Sequence, residues 1–283
     1  MIENWIEQYK PQNEEELVNA LREIMQEITL AGLSRTDFYE KAAFYGGTAL
    51  RIFYNLDRFS EDMDFSLLKR NTAFSIKPYF TAILNEFEAI GLKVSINEKV
   101  KLNKSAVTSA FLKSDTIWKT LSLEEIPSYR GIRVHQSLKI KIEVDCEPPL
   151  GFETEERLLL RPFSFYVKCF STPDLFAGKL HALLFRKWKN RIKGRDWYDF
   201  EWYVQRETPL NLNHFLNRAI DSGDWNKASI TPAQFKDLLH EKIDSISIEQ
   251  AKKDVIRFIA DEEKINIWSS KYFHDLAERI RFY

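Results

Sequence analysis

Cysteine is scarce in this sequence. Its 283 residues hold two cysteines, Cys146 and Cys169. That is too few for a disulfide framework, and no CxxC pair is present for zinc. Such usage fits a reducing compartment. Long apolar runs are missing as well, and none approaches the roughly 18–20 residues that a membrane span needs. The opening residues, Met1-Ile2-Glu3-Asn4-Trp5, lack the basic segment and apolar core of a signal peptide. A cytoplasmic protein without a membrane partner is therefore expected. Charge of one sign is also lacking: 41 Lys and Arg stand against 42 Asp and Glu, for a net charge of −1. With no global basic field, any nucleic acid must be met by a local patch. The five histidines, His135, His181, His214, His240 and His274, show no HExxH or similar ligand spacing, and the sequence assigns none of them to a metal. There is no GxSxG elbow, P-loop or Cys-His signal, so the serine-hydrolase and P-loop classes have no support.

What is present is an ordinary globular composition, 44% hydrophobic and 29% charged, far from the disordered class. The length suggests about two domains. Aromatics reach 14%; packing in a core is the preferred reading over platforms for stacked bases. Repeats and low-complexity tracts are absent.

Periodicity divides the chain near residue 168. Residues 14–32 read as an amphipathic helix with Asn13 as N-cap and Leu17, Leu21, Ile24, Ile28 and Leu30 on its apolar face. Helices are also expected over 48–55 and 75–90, and strands over 62–67, 92–97 and 106–112. The clearest strand is 138–145, where Leu138, Ile140, Ile142 and Val144 alternate with Lys139, Lys141, Glu143 and Asp145. Beyond Thr172-Pro173-Asp174, a helix-start signal, helical periods cover roughly 174–188, 195–206, 210–221, 231–243, 248–260 and 270–281. The expectation is an α+β fold, with a mixed sheet core and flanking helices over 1–168 followed by a helical domain over 169–283.

Chemistry concentrates between residues 45 and 65. Tyr45-Gly46-Gly47-Thr48-Ala49-Leu50-Arg51 is followed by Arg58-Phe59-Ser60-Glu61-Asp62-Met63-Asp64-Phe65. On a strand, Asp62 and Asp64 point to one face while Met63 and Phe65 point to the other. Two hard oxygen ligands so placed suit Mg²⁺, which binds one or two carboxylates together with substrate phosphates. Gly46 and Gly47 bare the backbone at a helix start, where N–H groups and the helix dipole favour a phosphate. Thr48 and Ser60 offer hydroxyls, and Arg51 and Arg58 offer cations. Either motif alone is weak, since a glycine pair is usually a turn and Asp-x-Asp usually a solvated loop. Together they describe a nucleoside triphosphate held by its tail, with metal between it and the carboxylates. A third carboxylate is expected from strand 138–145, either Glu143 or Asp145, with Glu143 preferred. The alternative for that face is a solvated, charge-alternating surface.

A second cluster opens with Asp174, Lys179 and His181 and continues through Arg186-Lys187-Trp188-Lys189-Asn190-Arg191-Ile192-Lys193-Gly194-Arg195-Asp196-Trp197-Tyr198-Asp199. Six of the ten residues from Arg186 to Arg195 are basic, which reads either as a solvated linker or as a local phosphate-binding patch. Asp196 and Asp199 are expected to cap a helix and pair with Arg195, or to orient a catalytic group. His181 reads as structural. Of Trp188, Trp197 and Trp202, at least two are expected in the core.

At these motifs the sequence resembles the AbiEii/AbiGii nucleotidyltransferase-like toxins of the DNA-polymerase-β-type superfamily. The resemblance spans about residues 44–204. It implies nucleotide transfer from NTP to an acceptor, tRNA in some members, and a cognate antitoxin. It also implies that Asp62 and Asp64 hold metal, that Gly47 and Thr48 hold phosphate, and that Lys179 and Asp196 complete the essential polar set. The alternatives are a nucleotide-binding regulator without turnover and a transferase that modifies protein.

Overall fold

The structure, a computed structural model, describes residues 2–97, 116–186 and 192–283. The strand expected over 106–112, and Lys187, Trp188, Lys189 and Arg191 of the basic stretch, lie outside the described residues.

Close contacts divide the chain into two units: Met1–Tyr54, Phe59–Pro148 and Glu155–Cys169 in the first, and Asn55–Arg58, Pro149–Thr154 and Phe170–Tyr283 in the second. The first is a mixed sheet with flanking helices. After α1 (Ile2–Tyr9), Asn13 starts α2 (Glu14–Ser34), its side chain accepting from the Glu16 N–H at 2.9 Å. Leu17, Leu21, Ile24, Ile28 and Leu30 are all buried, as the apolar stripe requires. A short α3 (Phe38–Lys41) leads into β1 (Ala42–Tyr45), α4 (Gly46–Tyr54) and β2 (Asp62–Leu67). The helix expected over 75–90 is a 3₁₀ turn, Lys77–Tyr79, followed by α5 (Phe80–Ala89); Pro78 has no N–H to give to a continuous ladder. Then come β3 (Val94–Asn97), β4 (Thr116–Leu123), β5 (Lys139–Asp145), β6 (Thr154–Leu159) and β7 (Phe165–Phe170).

Among the described residues the sheet has seven strands in the order β3-β4-β5-β2-β1-β7-β6. β2 runs parallel to β5 and antiparallel to β1, and β1 runs parallel to β7. In β5, Ile140, Ile142 and Val144 are buried while Lys141, Glu143 and Asp145 stay half-buried, so alternation assigns both faces correctly. Met63 and Phe65 of β2 are fully buried in the same core. α2 packs on α5, and Gly32 permits the approach: a Cβ there would meet the Ile83 Cα at 2.6 Å.

The second unit is helical: α6 (Thr172–Phe185), α7 (Gly194–Gln205), α8 (Leu212–Asp221), α9 (Pro232–Ser245), α10 (Ile248–Val255) and α11 (Ser270–Glu278). The helix expected over 248–260 stops at Val255 and tightens into a 3₁₀ turn. Aromatic rings fill this core. Phe176 stacks on Tyr203 at 4.4 Å, Phe215 meets Phe235 edge-on at 4.9 Å, and Trp197 packs on Phe273. Trp197 and Trp202 are both buried, so they are packing residues. No helix among the described residues is long and apolar enough to cross a membrane.

Candidate active site

The first unit assembles its polar group at the start of β2. Because β2 and β5 are parallel and in register, Asp62 lies beside Lys141, Asp64 beside Glu143 and Ser66 beside Asp145. Paired residues share a sheet face, so Asp62, Asp64, Lys141 and Glu143 project together. Asp62 is exposed and Asp64 half-buried. On the other side of β2, Asp64 pairs with Tyr45. The next residue, Gly46, has φ +83° and opens α4. A side chain at Gly46 would run into the Asp64 carboxylate, so only glycine lets the helix start this close to the acid. The first N–H groups of α4 have no acceptor within the helix, and its dipole adds positive potential there.

Three side chains fix this corner. The Thr48 hydroxyl is buried; it lies 2.9 Å from the Ser60 hydroxyl and donates to the Asp62 carbonyl. Gln26 of α2 donates to the carbonyls of Ser60 and Glu61 at 3.0 and 3.1 Å. Arg51 bonds Glu23 at 2.7 Å and lies over the Phe59 ring. The sequence places Thr48 and Arg51 on phosphate; the structure gives each a partner within the protein. Gln26, a buried polar residue interrupting an apolar helix, escaped the sequence reading, although that interruption was the available signal. Glu143 is held by an ion pair to Lys141, whereas Asp145 accepts from the Glu147 N–H at 3.1 Å.

Behind this corner lies a buried ionic group. Glu27 pairs with Arg161 at 2.7 Å, and the Tyr9 hydroxyl bonds Glu23 at 3.0 Å. Burial pushes the Glu27 carboxyl up to about 7, although Arg161 opposes the shift.

The second unit holds the other expected residues. Lys179 of α6 bonds Asp196 at 2.7 Å and Asp199 at 2.8 Å, both on α7. Arg58 donates to both oxygens of Asp199 at 2.6 Å. The sequence places Arg58 on a triphosphate; the structure buries its guanidinium, with 3% of the side chain exposed, and commits it to Asp199. Burial alone would raise Asp196 and Asp199. Lys179, Lys193 and Arg186 instead hold Asp196 well below the usual carboxylate range, and Arg58 and Lys179 hold Asp199 down. Burial lowers the Lys193 ammonium to about 8. Asp196 thus pairs with Lys179, while Arg195 lies over the Phe258 ring. Asp174 is buried and receives the Glu153 N–H, Ser171 and Asn211, which makes it a brace within this unit. His181 is buried and bonds Ser222 at 3.0 Å.

The first unit therefore brings together Gly46, Gly47, Thr48, Ser60, Asp62, Asp64 and Glu143. The second brings together Arg58, Lys179, Asp196 and Asp199. Comparison with known proteins adds the lineage. A family model described as the nucleotidyl transferase AbiEii toxin of type IV toxin–antitoxin systems matches residues 28–279. Among solved structures the chain is similar to MenT4, a nucleotidyltransferase toxin of Mycobacterium tuberculosis H37Rv, at 16% identity and a TM-score of 0.53, with 99% of each chain covered. It is also similar to JHP933 of Helicobacter pylori at 18% identity and a TM-score of 0.51, covering 90% of this chain and 88% of that one. At such identities these two likenesses speak to the fold alone. No curated protein matches the sequence at a significant level.

Proposed function

The chain belongs to the AbiEii nucleotidyltransferase toxin family, and from that premise we propose that it transfers a nucleoside monophosphate from NTP to an RNA hydroxyl, with tRNA as the acceptor, at Asp62 and Asp64. Membership gives the reaction class, nucleotidyl transfer by the toxin of a toxin–antitoxin pair, with NTP and an antitoxin as its general partners. The acceptor, the metal and the residue roles are our own reading.

One observation carries it: two carboxylates on one open sheet face, with a glycine-started helix N-terminus packed against the second of them. In the reaction the acceptor oxygen attacks the α-phosphorus, a new P–O bond forms, and the bond to the β-phosphate oxygen breaks to release pyrophosphate. The backbone N–H groups of Gly47 and Thr48, with the Ser60 hydroxyl, are suited to the phosphate tail. Glu143 is the third acid of choice over Asp145, because it lies next to Asp64 in register. It would take the acceptor proton once Lys141 turns to a phosphate. Lys179 and Asp196 are required polar residues of the second unit. Arg58 acts by holding Asp199.

The donor set fits magnesium: Asp62 and Asp64 offer hard oxygens two residues apart. Among the described residues no three His, Cys, Asp or Glu side chains converge as a ready cage. Magnesium usually takes its other ligands from phosphate and water. When bound, it would neutralise charge on the triphosphate.

The test mixes wild type or Asp64→Asn protein with Mg²⁺, each α-labelled NTP, and either tRNA or total protein. Label on tRNA with wild type, and at least about a thousand-fold less with Asp64→Asn at unchanged circular dichroism, is the expected result. Label on protein would replace the RNA acceptor. NTP binding with no transfer to any acceptor would favour the regulatory reading.

A further inference from the structure

From Glu23 to Leu33 every residue of α2 is buried, and Gln26 sits inside that run with 1% of its surface exposed. A buried primary amide brings two N–H donors and a carbonyl acceptor that apolar neighbours cannot meet. Gln26 directs both donors to one place. Its Nε2 donates to the Ser60 carbonyl at 3.0 Å and to the Glu61 carbonyl at 3.1 Å. Two carbonyls require donors, so the NH2 side of the amide must face them. Its Oε1 is buried and makes no hydrogen bond among the described residues. Arg22, one turn earlier on the same face of α2, pairs with the Glu61 carboxylate at 3.2 Å.

The sheet explains why donors are needed here. β1 parts from β2 at the Tyr45–Asp64 pair, because Gly46 turns the chain into α4. Carried on, that register would set residues 60–62 against residues 47–49, which belong to α4. On the other side of β2 the pairing with β5 begins at Asp62. Side chains take the place of the missing strand: Gln26 on Ser60 and Glu61, and the Thr48 hydroxyl on the Asp62 carbonyl. The Glu61 and Asp62 carbonyls belong to the two peptide planes that flank the Asp62 Cα. Holding both planes fixes the direction of the Asp62 Cα–Cβ bond. Asp62 is exposed, so the backbone rather than packing aims its carboxylate.

We propose that Gln26 is a positioning residue of the nucleotidyl-transfer centre: it aims the Asp62 carboxylate by holding the peptide in front of it and does not touch substrate. The inference rests on the reading of Asp62 and Asp64 as that centre. Ile24, Met25 and Ile28 are buried around Gln26, so an apolar side chain of similar length suits the same place in α2. A residue needed only for packing would be replaceable by methionine. A residue needed for its two donors would not, and partners that orient a metal-binding side chain are worth about 10–100-fold in metal affinity or activity.

The test compares full-length wild type, Gln26→Met, Asp62→Asn and the double variant. One readout needs no turnover: binding of a non-transferable α,β-methylene NTP with and without Mg²⁺. Gln26→Met should weaken the Mg²⁺-dependent binding by about 10-fold or more and leave metal-free binding unchanged. The other readout is label transfer, where kcat should fall by about 10–100-fold at unchanged KM for the acceptor. Combined with Asp62→Asn, Gln26→Met should add nothing, because it acts through that carboxylate. Should Gln26→Met fail to fold by circular dichroism, Gln26→Asn, with the same amide on a shorter stem, replaces it. Full Mg²⁺-dependent binding and full kcat in a folded variant would overturn the role of Gln26. So would an equal loss of binding with and without Mg²⁺, or additive losses in the double variant, since either marks a general structural defect. Wild type that moves no label would overturn the transfer reading, and the binding arm would still decide whether Gln26 aims Asp62.

Discussion

Asp199 receives both oxygens' worth of bonds from Arg58 and a further one from Lys179, in a site where none of its own side chain is exposed. Asp196 shares the Lys179 ammonium with Asp199, and Lys193 and Arg186 add positive charge around Asp196. Removing one partner of a buried pair strands the other charge, at a cost of about 3–5 kcal/mol. Arg58→Met is therefore expected to lower stability by about that much, read as a shift in the urea midpoint at constant slope. A variant of native stability that has lost only NTP affinity would show that Arg58 serves substrate directly. At this scale the sequence was legible where chemistry is local. Asp62 and Asp64 share a face because strands repeat every two residues. Gly46 and Gly47 announce a helix start. The partner of Arg58 lies 141 residues away and that of His240 34 residues away. No spacing rule carries such pairings, so neither was legible in the sequence.

Elements were legible in proportion to their amphipathicity. β2 and β5 alternate buried and more open positions, and α2 has a buried stripe over its first turns before it is buried on every side from Glu23 to Leu33, so periodicity located them nearly to the residue. β1 is four residues, Ala42–Tyr45, with three of them buried, and offers no alternation. β6 lies at the sheet edge and reads polar, and β4 begins where the described residues resume. β7 does alternate, with Phe165, Val167 and Cys169 buried and Tyr166 exposed, so its signal was present and unread. Close packing of α2 on α5 depends on a glycine that neither periodicity nor capping reveals. Gly32 faces the backbone of α5, and backbone cannot yield as a side chain can. Gly32→Ala is expected to cost about 1–3 kcal/mol by forcing α2 and α5 apart. Thermal denaturation checks it: an unchanged or raised Tm, as helix propensity alone would give, would contradict the packing argument.

For the whole molecule, the mixed sheet core followed by helices was readable from the change of hydrophobic period, and the family from motifs within it. Register had to come from the structure. Only the parallel pairing of β2 with β5 puts Glu143 beside Asp64 and Asp145 beside Ser66, because both acids stand on the same face of one strand. The central claim is that this scaffold moves a nucleotidyl group, which is a statement about which phosphorus is attacked. Its most direct test is a paired assay with Mg²⁺ and tRNA, using NTP labelled at the α-phosphate in one arm and at the γ-phosphate in the other. The account predicts α-label on the RNA, γ-label released as pyrophosphate, and loss of both signals in Asp64→Asn. Transfer of the γ-label, or α-transfer that persists in Asp64→Asn, would contradict it.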